Sequence, residues 1–196
     1  MNGLSLFSNV GIADTYLHKN NIHIKVANEL LANRAEIFRH LYPDCNMITG
    51  DISDESIFNR VIESAKKEKC DFIIATPPCQ GMSLAGKMDE DDPRNKLIIK
   101  VIESIKILNP KYVLIENVTQ MYNTFIIHEG EKIKIVDFIH EQISDQYRIS
   151  FNKVNACNYN VPQNRRRLIT LISRKDQTVW NMPPKKDYLI TVKDTI

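Results

Sequence analysis

The chain has 196 residues, 43% of them hydrophobic and 26% charged, which is the composition of a globular domain with a buried core. No apolar run approaches the ~18 residues that a membrane-spanning helix needs, and the four cysteines lack C-x-x-C spacing. We therefore expect an intracellular protein, cytoplasmic if bacterial, without membrane contact, metal site or disulfide framework. The net charge is +2, but residues 151–196 carry nine Lys or Arg against three Asp, a net charge of +6. This basic end is either a surface that attracts a polyanion or a solvated face.

Short apolar runs alternate with stretches of helical spacing along the chain. We predict strands within residues 4–7, 22–27, 72–75 and 112–115, with a further strand that ends at Gly50. Helical spacing recurs at 57–65, after the capping residues Ser53 and Asp54, at 97–108, after Asp92-Pro93, and at 136–143. Two late strands, 149–155 and 168–173, have no helix between them. The pattern predicts an α/β domain over residues 1–175, with a mostly parallel sheet covered on both faces and a late antiparallel hairpin. Residues 176–196 read as a linker or docking arm.

Unusual residues follow the first three predicted strands, where a parallel sheet binds ligands. The first strand runs into Phe7-Ser8-Asn9-Val10-Gly11, a tight strand-to-helix turn in which Asn9 tolerates a positive φ. The second strand ends in Glu29, an acid suited to ribose hydroxyls, and the third in Gly50-Asp51-Ile52, where Asp51 suits an adenine amino group. Taken singly, each acid is more often a helix cap or a surface carboxylate than a ligand-binding group. Together, the three strand ends favour a cofactor that contains a nucleoside.

A second group of polar residues follows the later strands. The fourth strand ends in Thr76-Pro77-Pro78-Cys79-Gln80-Gly81-Met82-Ser83, and the fifth in Glu116-Asn117-Val118. A lone cysteine is usually a small buried hydrophobe, but rigid prolines before Cys79 and a polar loop after it favour a reactive thiol. The hairpin begins with Pro162-Gln163-Asn164-Arg165-Arg166-Arg167. Arg165 and Arg167 would point to one face of a strand, and Arg166 to the other.

This set of motifs resembles the C5-cytosine DNA methyltransferase family over about residues 4–175. The resemblance rests on Pro-Pro-Cys-Gln around Cys79, on Glu-Asn-Val at 116–118 and on Gln-x-Arg-x-Arg at 163–167, in the family's usual order. It implies a Rossmann-like fold, S-adenosylmethionine as cofactor and double-stranded DNA as partner. The family normally has glycines where this chain carries Asn9 and Ile12, which bears on cofactor affinity more than on reaction type.

The resemblance also implies roles for particular residues. Cys79 would attack carbon 6 of a flipped cytosine and Glu116 would act at ring nitrogen 3, while the other catalytic residues orient the base and the loop: Gln80, Ser83, Asn117, Arg165 and Arg167. The cofactor pocket would take in Phe7, Asn9, Val10, Gly11, Glu29, Leu30, Asp51, Ile52, Pro78 and Leu97. Phe7, Leu30, Ile52 and Leu97 have an alternative interpretation as core side chains.

In the family, a target-recognition region and a final helix normally follow the Arg hairpin. The chain stops at Ile196, about where that region should begin. We therefore expect one subunit of a split methyltransferase, or a fragment, with little activity until a second polypeptide supplies the missing region. The alternatives are a tRNA cytosine-5 methyltransferase, which would share the chemistry, and an inactive binding subunit.

Overall fold

The computed structural model of the chain describes residues 1–78, 97–186, 188 and 190–194. Its strands in chain order are β1 (Asn2–Leu6), β2 (His23–Glu29), β3 (Asn46–Thr49), β4 (Phe72–Ala75), β5 (Tyr112–Asn117), β6 (Phe125–His128), β7 (Glu131–Lys134), β8 (Tyr147–Asn155) and β9 (Arg166–Arg174). In this part of the chain one sheet has the order β3-β2-β1-β4-β5-β9-β8. Strands β1 to β5 are parallel, and β9 is antiparallel to both β5 and β8. The predicted α/β class with a late antiparallel hairpin is confirmed.

The helices are α1 (Ala32–Leu41), α2 (Glu55–Lys67), α3 (Leu97–Leu108) and α4 (Ile135–Ile143). The last three match the predicted periodicities. Helix α2 begins at its N-cap Asp54, whose carboxylate accepts hydrogen bonds from the backbone N–H groups of Ser56 and Ile57. The predicted cap of α3, Asp92-Pro93, lies outside the described residues. Helix α1 was not predicted, because only Ala35 and Phe38 are buried along it and the apolar stripe is correspondingly narrow.

Two connections differ from the sequence-based expectation. The turn after β1 leads into two short 3-10 helices, Ile12–Asp14 and Leu17–Asn20, instead of an α-helix. This segment has too few buried apolar side chains for a helix, since Ile12 is 78% exposed. A second hairpin, β6–β7, also went unpredicted. Its turn residues Glu129 and Gly130 both have positive φ, the backbone that a tight two-residue hairpin turn requires.

The core is divided unequally between the two faces of the sheet. Helices α2, α3 and α4 cover one face and enclose the largest cluster of buried side chains. On the other face α1 covers β2 and β3, and a small cluster around Phe72 and Ile74 lies next to them. None of the described helices is long and apolar enough to span a membrane.

Trp180, in the predicted arm, packs against this smaller cluster. Its ring centroid lies 6.0 Å from that of Phe72 and 5.9 Å from that of Tyr112. Its backbone N–H donates to Oγ of Ser173 at 2.8 Å. The first part of the 176–196 segment is therefore attached to the sheet that it follows.

Candidate active site

A cavity of about 880 Å³ opens beyond the carboxyl ends of β1, β2 and β3. Eight of the ten residues predicted to bind the cofactor line it: Phe7, Asn9, Glu29, Leu30, Asp51, Ile52, Pro78 and Leu97. Val10 and Gly11 are not among the described residues that line the cavity. Ile52 is also part of the main core, against which Phe7 and Leu97 pack, whereas Leu30 is 57% exposed. Phe7, Ile52 and Leu97 therefore both line the cavity and contribute to core packing.

The carboxylate of Glu29 organises the floor of this cavity. It is buried, and its two oxygens accept hydrogen bonds from the backbone N–H groups of Asn9, at 2.9 Å, and Leu31, at 3.0 Å. Phe7 and Asn9 have φ of 57° and 53°, so the turn after β1 is left-handed at two residues other than glycine. Asn9 adopts the positive φ that its residue type tolerates. The acid at the end of β2 thus fixes the first turn.

Gly11 has a packing role in the same turn. Its φ is 85°, and a Cβ atom there would lie 2.2 Å from a ring carbon of Tyr42. The Tyr42 hydroxyl donates to the carbonyl oxygen of Gly11 at 2.7 Å, and its ring packs on Phe38 in α1. Sequence reasoning missed Tyr42, because no local pattern connects it to a turn 31 residues away.

Further polar groups of the cavity come from β2, the β3 end and α3, and Arg34 of α1 and Thr76 also line it. The side-chain amide of Asn28 donates to the carbonyl oxygens of Ile48 and Gly50, which ties the β2 and β3 ends together. Asp51 is exposed and accepts from the Ser53 backbone and hydroxyl. Lys100, unforeseen from the sequence, lines the cavity and pairs with two carboxylates, those of Glu55 at 2.6 Å and Glu103 at 2.8 Å.

The end of β5 brings three of the predicted catalytic residues together. The carboxylate oxygen Oε1 of Glu116 lies 2.7 Å from Nε of Arg167 and 3.9 Å from a terminal guanidinium nitrogen of Arg165. The Glu116 side chain is 29% exposed, so this ion pair is partly open to solvent. Arg165 and Arg167 thus both approach Glu116, which agrees with the expectation that they point to the same face of the strand.

Asn117 connects β5 to the proline segment after β4. Its side-chain amide donates to the carbonyl oxygen of Pro77 at 3.1 Å, and the Thr76 hydroxyl donates to the carbonyl oxygen of Phe7 at 2.9 Å. These contacts fix the chain two residues before Cys79. Cys79, Gln80 and Ser83 themselves lie outside the described residues.

Burial raises the pKa of one carboxyl and two thiols outside the strands. Burial raises the pKa of the Asp14 carboxyl to about 6, against a hydrogen bond from Ser5 that lowers it. Burial also raises the pKa of the Cys45 and Cys70 thiols to about 12, so these two are poor nucleophiles.

A family model for C-5 cytosine-specific DNA methylases matches residues 1–195 of this chain. The chain belongs to that family. It is similar to the type II methyltransferase M1.HgaI of Avibacterium volantium, with 40% identity over 99% of this chain and 55% of that protein. M1.HphI of Haemophilus parahaemolyticus is 30% identical over 98% of this chain and 51% of its own length. M.AquIA of Picosynechococcus sp. is 33% identical over 89% of this chain and 73% of its own length. The chain thus spans about half the length of the first two relatives.

Solved structures agree with the S-adenosylmethionine-dependent methyltransferase fold. A putative DNA modification methyltransferase encoded within an E. coli prophage superposes with a TM-score of 0.75 at 26% identity, covering all of this chain and 54% of that one. The DNMT2 of Spodoptera frugiperda superposes with a TM-score of 0.70 at 22% identity, over 97% of this chain and 54% of that one. This second likeness concerns the fold alone.

Proposed function

We propose that this chain carries the catalytic residues for methyl transfer from S-adenosylmethionine to carbon 5 of cytosine in DNA. The observation that supports the proposal most strongly is the position of Glu116. Its carboxylate, paired with Arg167 at 2.7 Å, stands at the end of β5, and its neighbour Asn117 holds the Pro77 carbonyl, two residues before Cys79. An acid, a guanidinium and the proline segment that precedes Cys79 in the chain are thereby attached to one edge of the sheet.

The proposed roles follow from the weak nucleophilicity of carbon 5 in cytosine. The Cys79 thiolate forms a bond to carbon 6, and the ring electrons move toward nitrogen 3, where Glu116 supplies a proton or hydrogen bond. Carbon 5 then takes the methyl group, its proton is lost to a base, and the bond to Cys79 breaks. Arg165 and Arg167 hold the base's carbonyl oxygen, and Gln80 and Ser83 belong to the loop over the flipped nucleotide.

The cavity beside β1 to β3 fits a nucleoside cofactor. The cofactor S-adenosylmethionine supplies an electrophilic methyl group when bound. Glu29 and Asp51 line this cavity of about 880 Å³, together with Leu30 and Ile52, whose apolar side chains suit a base. Pro78 lies on the side of the cavity that leads to Cys79.

Trapping on DNA that contains 5-fluorocytosine tests the covalent step. Release of Cys79 requires loss of the proton at carbon 5, and a fluorine atom in its place cannot be removed by a base. With S-adenosylmethionine and with the chain supplemented by the region that follows the match in M1.HgaI, we expect a denaturation-resistant protein–DNA adduct that Cys79→Ser abolishes. Cys45→Ser is the matched control and should keep the adduct. An adduct that survives in Cys79→Ser would contradict the assignment of the nucleophile.

We also propose that target recognition needs a further polypeptide region, on this chain or on a second subunit. The proposal is motivated by the 55% and 51% of M1.HgaI and M1.HphI that the chain spans. Methyl incorporation into duplex DNA should then be low for residues 1–196 alone and rise when the region following the match in M1.HgaI is added. Full activity of residues 1–196 alone would contradict this. Parallel assays on tRNA show whether RNA is the better substrate.

A further inference from the structure

A second groove, of about 380 Å³, lies beside the end of β5 and the β8–β9 hairpin. Its described lining combines two cations, Lys153 and Arg166, with uncharged polar side chains, among them Thr119, Gln120, Asn123 and Asn155. No acidic side chain belongs to the lining within the described residues. The groove therefore has the charge and the hydrogen-bond donors of an anion site.

The tertiary structure gathers the cations of this groove from separate segments. Lys153 is on β8, and its ammonium lies 4.2 Å from the centroid of the Tyr122 ring. Arg166 begins β9 and is paired across the hairpin with Asn155. A third segment approaches from the C-terminal arm, because the backbone N–H of Lys186 donates to the carbonyl oxygen of Asn158, which also lines the groove. Two of the nine basic residues of 151–196 thus line the groove, and the segment that carries Lys186 contacts it through its backbone.

The groove adjoins the residues proposed for catalysis but opens on the opposite face of the strand. Arg166 lines it, whereas its neighbour Arg167 contacts Glu116. Arg166 and Arg167 are neighbours at the start of β9, so a nucleic-acid strand that presents a base to Glu116 passes the end of β9 at which the groove opens. Charges recur about every 3.4 Å along one strand of duplex DNA, so a phosphate is available along this path.

We propose that this groove binds a backbone phosphodiester of the nucleic acid whose base is presented to Glu116. The inference rests on the proposed function and extends it to a second contact site. Lys153 and Arg166 neutralise the phosphate, and the amide and hydroxyl groups around them donate hydrogen bonds to its oxygens. Such contacts position the strand without reading its sequence.

The salt dependence of DNA binding tests this site. The full chain is titrated with a short cytosine-containing duplex at several salt concentrations, and the slope of log affinity against log salt is measured. Each of Lys153→Gln and Arg166→Gln should reduce the magnitude of this slope by about one, the contribution of one phosphate contact. Lys175→Gln, an exposed residue just beyond the far end of β9, makes the same charge change and should leave the slope unaltered.

The outcomes separate the groove from the proposed reaction. If both groove variants keep the wild-type slope of log affinity against log salt, the proposed phosphate site is wrong, even if the 5-fluorocytosine adduct forms. The same titration with tRNA distinguishes the source of the phosphate. Reduced slopes on tRNA but no binding to DNA would support the groove and contradict DNA as the substrate. Absence of salt-dependent binding to either nucleic acid would overturn the groove proposal.

Discussion

Two regions of the sheet's carboxyl edge hold their polar groups differently. At the cofactor end, formed by the turns after β1, β2 and β3, buried Glu29 and Asn28 bind the protein's own backbone. At the cationic end, formed by the β5 terminus and the β8–β9 hairpin, Arg165 and Arg166 are exposed and Lys153 contacts a ring. The first region is already organised by its internal hydrogen bonds, whereas the second presents charge to solvent. This difference predicts that substitutions at the cofactor end alter folding stability, while those at the cationic end alter activity and binding.

The largest expected effect is on catalysis. Glu116→Gln removes the acid at ring nitrogen 3. Methyl transfer by the chain supplemented with the region that follows the match in M1.HgaI should therefore fall about 100- to 10,000-fold. The free energy of unfolding should change by less than about 1 kcal/mol, because the pair with Arg167 is partly exposed. Radiolabelled methyl incorporation and denaturant unfolding measure the two quantities. A large loss of stability would remove the contrast between the two ends.

Gly11→Ala tests the cofactor end from its backbone. The positive φ and the 2.2 Å approach to Tyr42 both oppose a methyl group, so unfolding should become easier by about 3 kcal/mol. Gly130→Ala is the matched control, since its φ is 84° but nothing lies within 4 Å of its Cβ position. Gly130→Ala should lose less stability, because it carries only the backbone strain. The difference between the two variants then measures the clash with Tyr42. Equal losses in the two variants would show that Tyr42 does not confine the turn.

Asp14 makes stability depend on pH. Its folded pKa of about 6 lies above the ordinary value of 3.8, so its stabilising protonation is complete below pH 3.8 and lost as pH rises through 6. Asp14→Asn should therefore match the wild type near pH 4 and exceed it by up to about 3 kcal/mol above pH 7. Unfolding free energies measured across this range check the sign. A stability difference independent of pH would rule out the titration of Asp14.

Glu29→Gln is expected to change the stability less than Gly11→Ala or Asp14→Asn. The amide leaves one of two backbone N–H groups, on Asn9 or Leu31, without its acceptor, which costs about 1–3 kcal/mol. Calorimetry should also show S-adenosylmethionine binding weakened by about tenfold, which corresponds to about 1.4 kcal/mol. The exposed Asp51→Asn is the comparison and should weaken the cofactor with little change in unfolding. Unchanged stability in Glu29→Gln would mean that its hydrogen bonds do not hold the turn.

The predictability of the site differed between the two ends for a physical reason. Strand ends and their acids follow from local patterns, and Glu29, Asp51 and Ile52 do line the predicted cavity. The contact between Tyr42 and Gly11 joins segments 31 residues apart and leaves no periodic signal. At the cationic end, the alternation of side chains along a strand correctly placed Arg166 and Arg167 on opposite faces. No local sequence pattern indicated that Lys153 lines the same groove as Arg166, or that the Lys186 segment contacts that groove.

By itself, the amino-acid sequence determined the α/β class, the strand and helix positions with strong periodicity, and the motifs around Glu116 and Cys79. These depend on residues close in the chain, where side-chain spacing and backbone preference act directly. The tertiary structure decided which long-range partners those residues meet. It packed Trp180 onto Phe72 and Tyr112, and it buried Asp14 with Ser5 as a partner. Such contacts depend on how the layers pack, since burial and dielectric are set by neighbours distant in the chain.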